Sequence, residues 1–356
     1  MVTTTTTTVV EYVVVLVAII LAADSPDHVW GSLGDRLPYY NRCLYDCIDR
    51  NCTTDDQLRV FADSQPNYMA WIGWDCRQEC QHQCQWRTID QWLGSPLYNG
   101  HRLPQFYGKW TFYRLFGIEE PASMICSVLN LVTNLYGWNQ YRKSVANNDG
   151  GGGGDPHFTI QTVQAFLAVN AWFWSTIFHT RQTSISEKFD YFSAYSLVIY
   201  SLYALVIRVL MDSTCSSSGS IKGLPMIARH WSLIGWTVGL PFLSFFIYHC
   251  YYLYFIHFDY GYNVKVNVIT GLFSSIGWLL WCYSNRRHQG NHIWKCILSI
   301  GLLNSLLLLE LYDFPPVAFI FDAHSLWHLG TAPIPILWFS FLTDININNR
   351  FKSKIL

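Results

Sequence analysis

Beyond Pro121 the sequence falls into apolar runs of about 20 residues, the length a helix needs to cross hydrocarbon. Seven are legible, at 122–141, 158–179, 190–211, 231–253, 264–284, 293–311 and 324–343. Backbone polar groups within a bilayer must be satisfied inside the segment itself, so such runs predict an all-α membrane protein, a bundle of seven transmembrane helices. Charge agrees with this. Only 13% of the 356 residues are charged, while 51% are hydrophobic and 17% aromatic, against about a quarter charged in soluble proteins. The 23 Lys+Arg are balanced by 24 Asp+Glu. That balance supplies no basic excess to release phosphate counterions, and argues against nucleic acid as a partner.

The part ahead of the bundle divides in two. Val9 to Ala23 is an apolar stretch ending in Leu21-Ala22-Ala23 before polar sequence, which predicts a signal peptide over 1–23. No basic residue precedes it and Glu11 interrupts it, so a retained anchor is the competing reading. Residues 24–120 are then a luminal segment, too polar to cross a bilayer. It carries six of the eleven cysteines, as Cys43-x3-Cys47-x4-Cys52 and Cys76-x3-Cys80-x3-Cys84. Six clustered cysteines behind a signal peptide predict up to three disulfides, with the pairing open. A structural zinc site is the alternative, but the paired C-x2-C spacing of common zinc modules is missing. Asn51-Cys52-Thr53 is formally a glycosylation sequon.

Loop charges set the orientation. With the cysteine-rich segment outside, Arg142, Lys143, Lys222, Arg229, Arg286, Arg287, Arg350, Lys352 and Lys354 fall on the cytosolic side, and only Arg181 and Lys188 on the other. This asymmetry follows the positive-inside rule. The Gly150-to-Gly154 stretch lacks the Gly-Lys-Ser/Thr ending of a phosphate loop and reads as a linker. In the tail, 346–356, lysines stand three and five from the end, similar to the dilysine retrieval signal that coat proteins read on early secretory membrane proteins.

Ionisable groups at membrane depth are costly and point to function. Ser175 and His179 lie one helical turn apart at the luminal end of the second run, Asp190 opens the third, and His324 and His328 repeat the i, i+4 spacing at the start of the seventh. Three neutral imidazoles leave one position free on tetrahedral zinc, the pattern of a catalytic site. A metal so held activates water, and a nearby carboxylate accepts its proton. Asp190 is the candidate proton acceptor, and Ser175 the candidate donor to the oxyanion of an attacked carbonyl. A Ser175 nucleophile with His179 as its base leaves the other two histidines unexplained. Asp313 and Asp322, before the histidine pair, are candidates to orient a ligand imidazole or to act as loop and helix-cap residues. His288 and His292, with Gly290 between them, read as solvated. His249, His257 and Asp259 are weaker candidates for substrate contact.

His179-Thr-Arg-Gln-Thr-Ser-Ile-Ser-Glu-Lys-Phe-Asp190, Asp313-Phe-Pro-Pro and Asp322-Ala-His324-Ser-Leu-Trp-His328 together resemble the GPI-anchor lipid-remodelling family of post-GPI-attachment factor 3. Gly34-Asp35, the six cysteines and Glu120-Pro121-Ala122-Ser123 extend the likeness over nearly the whole chain. The wider superfamily is similar to alkaline ceramidases and adiponectin receptors, whose Ser-x3-His, Asp, His-x3-His pattern falls on Ser175, His179, Asp190, His324 and His328. The resemblance implies an intramembrane Zn2+ hydrolase over 121–345. Its implied activity is phospholipase A2-like removal of the unsaturated sn-2 acyl chain from GPI-anchored proteins in the endoplasmic reticulum or Golgi. Ceramide amidase and a non-enzymatic seven-helix receptor or assembly factor are the alternatives. Calcium, held by acidic residues in ceramidase relatives, is not carried over, because only Glu119 and Glu120 stand before the first run.

Overall fold

A computed structural model describes residues 32–95, 103–148, 157–217 and 224–355. The signal-peptide stretch and the glycine linker lie outside them, as do the tail lysine side chains. The described residues form helices, short turns and isolated bridges, with no strand among them.

Four helices make up the cysteine-rich segment: α1 (Pro38–Asn51), α2 (Asp55–Ser64), α3 (Asn67–Ile72) and α4 (Cys76–Leu93). Local chemistry starts them. Pro38 opens α1, where a missing N–H is harmless. Thr54 with Gln57, and Asp75 with Gln78, form capping boxes that satisfy the first amides of α2 and α4. The cysteines recur every four or five residues along α1 and its C-terminal cap and along α4, so they share one face of each helix. Three nested disulfides, Cys43–Cys84, Cys47–Cys80 and Cys52–Cys76, staple the two faces together. The expected disulfide framework is therefore present. Around it lies a small core of Tyr40, Cys84, Ile89 and Phe106.

Longer helices follow: α5 (Pro121–Asn148), α6 (Phe158–Thr180), α7 (Ser184–Ser217), α8 (Leu224–Tyr251), α9 (Tyr260–Gln289), α10 (Ile293–Tyr312), α11 (Ala323–Thr331) and α12 (Ile334–Ile355). Three stretches are long and apolar enough to cross a membrane: Ser184–Asp212, Leu233–Ile256, and Tyr260–Glu310, the last holding both α9 and α10. The chain is a membrane protein. Helices α5 and α6 fall short of that measure by composition, and α11, of nine residues, by length. They carry the buried polar side chains Ser123, Ser127, Asn130, Ser175, His179, Ser325 and His328. The run expected as one helix over 324–343 is divided: Pro333 supplies no N–H, and α11 ends at Thr331 before α12 begins.

The bundle is apolar at one end and polar at the other. Tyr141, Leu205, Trp278, Trp281, Ile297 and Phe341 form the core where α5 and α9 finish and α10 begins. The opposite end, where α5 and α11 begin and α6 finishes, holds the polar residues. There the cysteine-rich segment docks. Trp74 lies between two guanidiniums, with Arg114 3.5 Å and Arg181 3.8 Å from its ring centroid, and its indole N–H donates to the Gly117 carbonyl at 2.8 Å. Arg114 is paired to Glu79 at 2.7 Å. Arg181, expected as an ordinary loop cation, is thus part of this contact.

His82, on α4, has its imidazole pushed down to about 3 by burial and by the Arg114 charge. It stays neutral in the folded segment, whereas an unfolded chain takes up a proton below about pH 6.5. Stability is thus fully present above that pH and drains away as the pH falls toward 3. Thermal unfolding of the cysteine-rich segment, followed by hydrogen exchange, is expected to show a midpoint that drops on acidification below pH 6.5, and a shallower drop in His82→Gln.

Candidate metal centre

His179 lies in the last turn of α6, and His324 and His328 lie one turn apart on α11. Asp322 starts α11 by accepting the Ser325 amide at 2.8 Å, with the reciprocal Ser325 bond completing a capping box. The three imidazoles converge. Their candidate ligand nitrogens lie within 4.8 Å of one another, and ring centroids are separated by 5.2 Å (His179–His324), 5.0 Å (His179–His328) and 4.4 Å (His324–His328). The three histidines singled out from sequence thus meet in one cluster.

Two carboxylates fix the ring orientations. Glu120 Oε2 lies 2.7 Å from His179 Nδ1, and Glu310 Oε2 lies 2.7 Å from His324 Nδ1. A carboxylate only accepts, so each Nδ1 carries its proton, leaving the Nε2 lone pair of each neutral ring free for a ligand. Nε2 of His179 is buried with no hydrogen-bond partner. Nε2 of His324 faces Nε2 of His328 at 2.8 Å. A buried nitrogen without a partner is costly, by about 1–3 kcal/mol, and lone pairs aimed at one point are satisfied together by a cation. The donor set fits a divalent metal with one position left open, and zinc in particular accepts it. Trp172 meets His328 edge-on at 5.1 Å and Trp327 stacks on His324 at 5.7 Å, giving the cluster an aromatic wall.

The position of Glu120 follows from backbone hydrogen bonding. The last carbonyls of a helix have no partner within it. At the end of α6 the His179 and Thr180 carbonyls accept from the Glu120 and Glu119 amides, at 3.0 and 3.1 Å. This pairing draws the chain just before α5 across the end of α6 and brings the Glu120 carboxylate onto the His179 ring. Lys109 Nζ, 3.2 Å from Glu120 Oε1, and the Gln182 side chain hold the other oxygen. Burial would raise the Glu120 carboxyl; Lys109 and the His179 imidazole outweigh it and hold the group below its usual range. Glu119, next to it, is raised by its own burial.

Asp190 is half-buried near the start of α7, within the electrostatic reach of His324, Lys109, Glu120 and Glu187. Ser175 is buried, with Oγ 3.0 Å from Ser127 Oγ. Ser127 donates to the Ser123 carbonyl at 2.8 Å, so the Ser175 proton points to Ser127. The remaining candidates have other partners. Asp313 accepts from the Trp110 indole at 2.7 Å and the Gln105 amide at 3.0 Å, and Asp322 caps α11. Their loop and cap roles are the ones realised, and the imidazoles are oriented by Glu120 and Glu310 instead. His249 pairs with Asn263 at 3.2 Å, Asp259 caps α9, and His292 lies 3.2 Å from Asp344. Sequence reasoning missed Glu310, although it is the one acid in its apolar run, and Lys109 and Ser127 had no spacing to mark them.

Residues 66–345 match the Per1-like family, and the chain belongs to it. Among its relatives, a Cricetulus griseus protein named GPI-specific phospholipase A2-like PGAP3 is 40% identical over 317 residues, 88% of this chain and 89% of its own length. The Homo sapiens protein of that name is 38% identical over 326 residues, 92% of this chain and 93% of its own. A Drosophila melanogaster protein named Post-GPI attachment to proteins factor 3 is 34% identical over 323 residues, 89% of this chain and 90% of its own. No solved structure matches the chain.

Removing a carboxylate behind a ligand imidazole leaves its N–H unpaired and weakens the metal site about 10–100-fold. Glu120→Ala and Glu310→Ala are each expected to lose zinc affinity by that factor in competition with a chelating dye. Asp344→Asn, remote from the cluster, is expected to bind as the parent does.

Proposed function

We propose that this protein is a membrane hydrolase of GPI-anchor lipid remodelling, releasing the unsaturated sn-2 fatty acid from GPI-anchored proteins in the luminal leaflet. The observation that carries this reading is the convergence of three imidazoles, two of them backed by carboxylates, at the polar end of the bundle. Relatives 40% identical along most of the chain carry the name GPI-specific phospholipase A2-like, which supports this reading.

In this reading residues 1–23 are a signal peptide, 24–120 the luminal cysteine-rich domain, 121–345 the hydrolase domain and 346–356 a cytosolic tail with a dilysine-like signal for coat proteins. The broken pair α11–α12 is read as the last of seven spans; the loop-charge asymmetry supports a luminal position for the cluster, and the family resemblance and the tail support the endoplasmic reticulum or Golgi. An ester just below the lipid headgroups then lies level with the ends of α6 and α11.

His179, His324 and His328 would hold zinc, which when bound supplies Lewis-acid activation of water and of the ester carbonyl. The chain's own groups do the rest. His179 and His328 are almost fully buried, while the His324 side chain is 34% exposed, so substrate approaches beside His324 and Asp190. Asp190 accepts a proton from the water that attacks the sn-2 carbonyl and passes it to the departing glycerol oxygen, giving lyso-GPI and free fatty acid. Ser175 turns its hydroxyl from Ser127 Oγ to the oxyanion as charge develops there. Glu120 and Glu310 keep protons on Nδ1 of their histidines throughout.

Purified full-length variants test the roles through release of the sn-2 acid from a GPI-anchored protein. Asp190→Ala is expected to keep its metal and lose turnover by about 10²–10⁴-fold, and His324→Ala to lose both. Full activity in Asp190→Ala would remove Asp190 from the proton-acceptor role.

A further inference from the structure

Next to the cluster, on the outside of the bundle, lies an apolar groove of about 340 Å³, within the range of pockets that hold small-molecule ligands. Its floor is Ala122, Ile125 and Cys126 on the first turns of α5; one wall is Ile320 and Phe321 in the loop before α11, the other Tyr113 and Leu115 from the cysteine-rich side. Both ends of the lining are close in the chain to the histidine cluster. Ala122 is two residues from Glu120, which orients His179, and Phe321 is three residues from His324.

The rim indicates what the groove faces. Ile125 is 56% exposed, Leu115 49% and Phe321 47%. Phe116, at the turn between Leu115 and Ile118, is 69% exposed. An aqueous opening would be ringed by polar side chains; an apolar rim on a membrane protein opens into hydrocarbon. At the upper edge the lining changes character abruptly. Arg114 sits there, paired with Glu79 and stacked on Trp74, at the level of the cysteine-rich segment. The groove thus ends above at a largely buried ion pair, the Arg114 side chain being 10% exposed, with apolar walls below it.

We propose that this groove seats an acyl chain of the lipid substrate, entering sideways from the membrane between the start of α5 and the loop before α11. The proposal rests on the lipid-hydrolase reading and adds to it the route and face by which the chain is held. An acyl tail lying along Ile125 and Phe321 has its carbonyl end toward the starts of α5 and α11, next in the chain to Glu120 and His324. The wall residue Phe321 pairs its carbonyl with the Val317 amide at 2.7 Å, and Phe319, two residues earlier, packs on Trp86 at 4.9 Å and Tyr113 at 5.7 Å. The groove is therefore held open by the docked cysteine-rich segment.

The test uses the full chain in phosphatidylcholine vesicles doped with phosphatidylinositol that carries a diazirine near the end of its sn-2 chain. After photolysis, labelled peptides are mapped by mass spectrometry. Trp236, Leu240 and Leu243, all exposed on α8, report ordinary contact with bulk lipid. Label at Ile125 and Phe321 is expected to exceed that at the α8 positions about tenfold, to fall to the α8 level in Ile125→Trp, and to persist in Trp236→Ala. Equal labelling of both faces in the parent protein, or label at Phe321 that survives Ile125→Trp, would overturn the proposal. If Ile125→Trp does not fold, the parent ratio alone decides. The readout needs no turnover: selective labelling without fatty-acid release would count against the hydrolase reading and leave the groove, whereas release without selective labelling would do the reverse.

Discussion

The histidine cluster depends on how one helix ends. Helix α6 leaves the His179 and Thr180 carbonyls without internal partners, and the Glu119 and Glu120 amides supply them. This contact does two things at once. It satisfies buried backbone groups that would otherwise cost free energy, and it brings the Glu120 carboxylate to the His179 ring, fixing its tautomer. The segment joining the cysteine-rich region to the bundle therefore serves as part of the site.

The cysteine-rich segment in turn holds the second half of the cluster. The loop delivering His324 contains three non-glycine residues in the left-handed region, Asp313 (φ 31°), Ala318 (φ 53°) and Phe319 (φ 57°). Such backbone is strained and persists only where its surroundings enforce it. Here they do so through named contacts. Trp110 and Gln105 hold the Asp313 carboxylate, the Tyr113 amide donates to the Phe319 carbonyl at 3.0 Å, and Trp86 receives the Phe319 ring. The disulfides that fix α4 to α1 thereby steady the loop from which α11 starts.

Much of this was legible in the sequence because it is local. Helical spacing of Ser175 with His179, and of His324 with His328, foretold two pairs of groups on helix faces, and the cysteine spacing foretold the stapled helices. Pairing between distant segments was less visible. Asp313 and Asp322, near His324 in sequence, were open to either an orienting or a loop and cap role, and the fold turns Asp313 toward Trp110 and commits Asp322 to the α11 cap. The acids that reach the rings come from 59 and 14 residues away. Hydropathy is clear over three stretches, two of which carry Asp190 and Glu310, and weaker over α5 and α6, where buried Ser123, Ser127, Asn130, Ser175 and His179 lower it. Lys109 had no pattern at all, and only the folded chain brings it to Glu120.

The central claim is that His179, His324 and His328 hold one catalytic metal. Elemental analysis of the purified full-length protein, paired with fatty-acid release from a GPI-anchored substrate before and after chelation, tests it most directly. One zinc per chain, with release that stops on chelation and returns when zinc is restored, is the predicted result. Protein that releases the acid at full rate with no bound metal would contradict it.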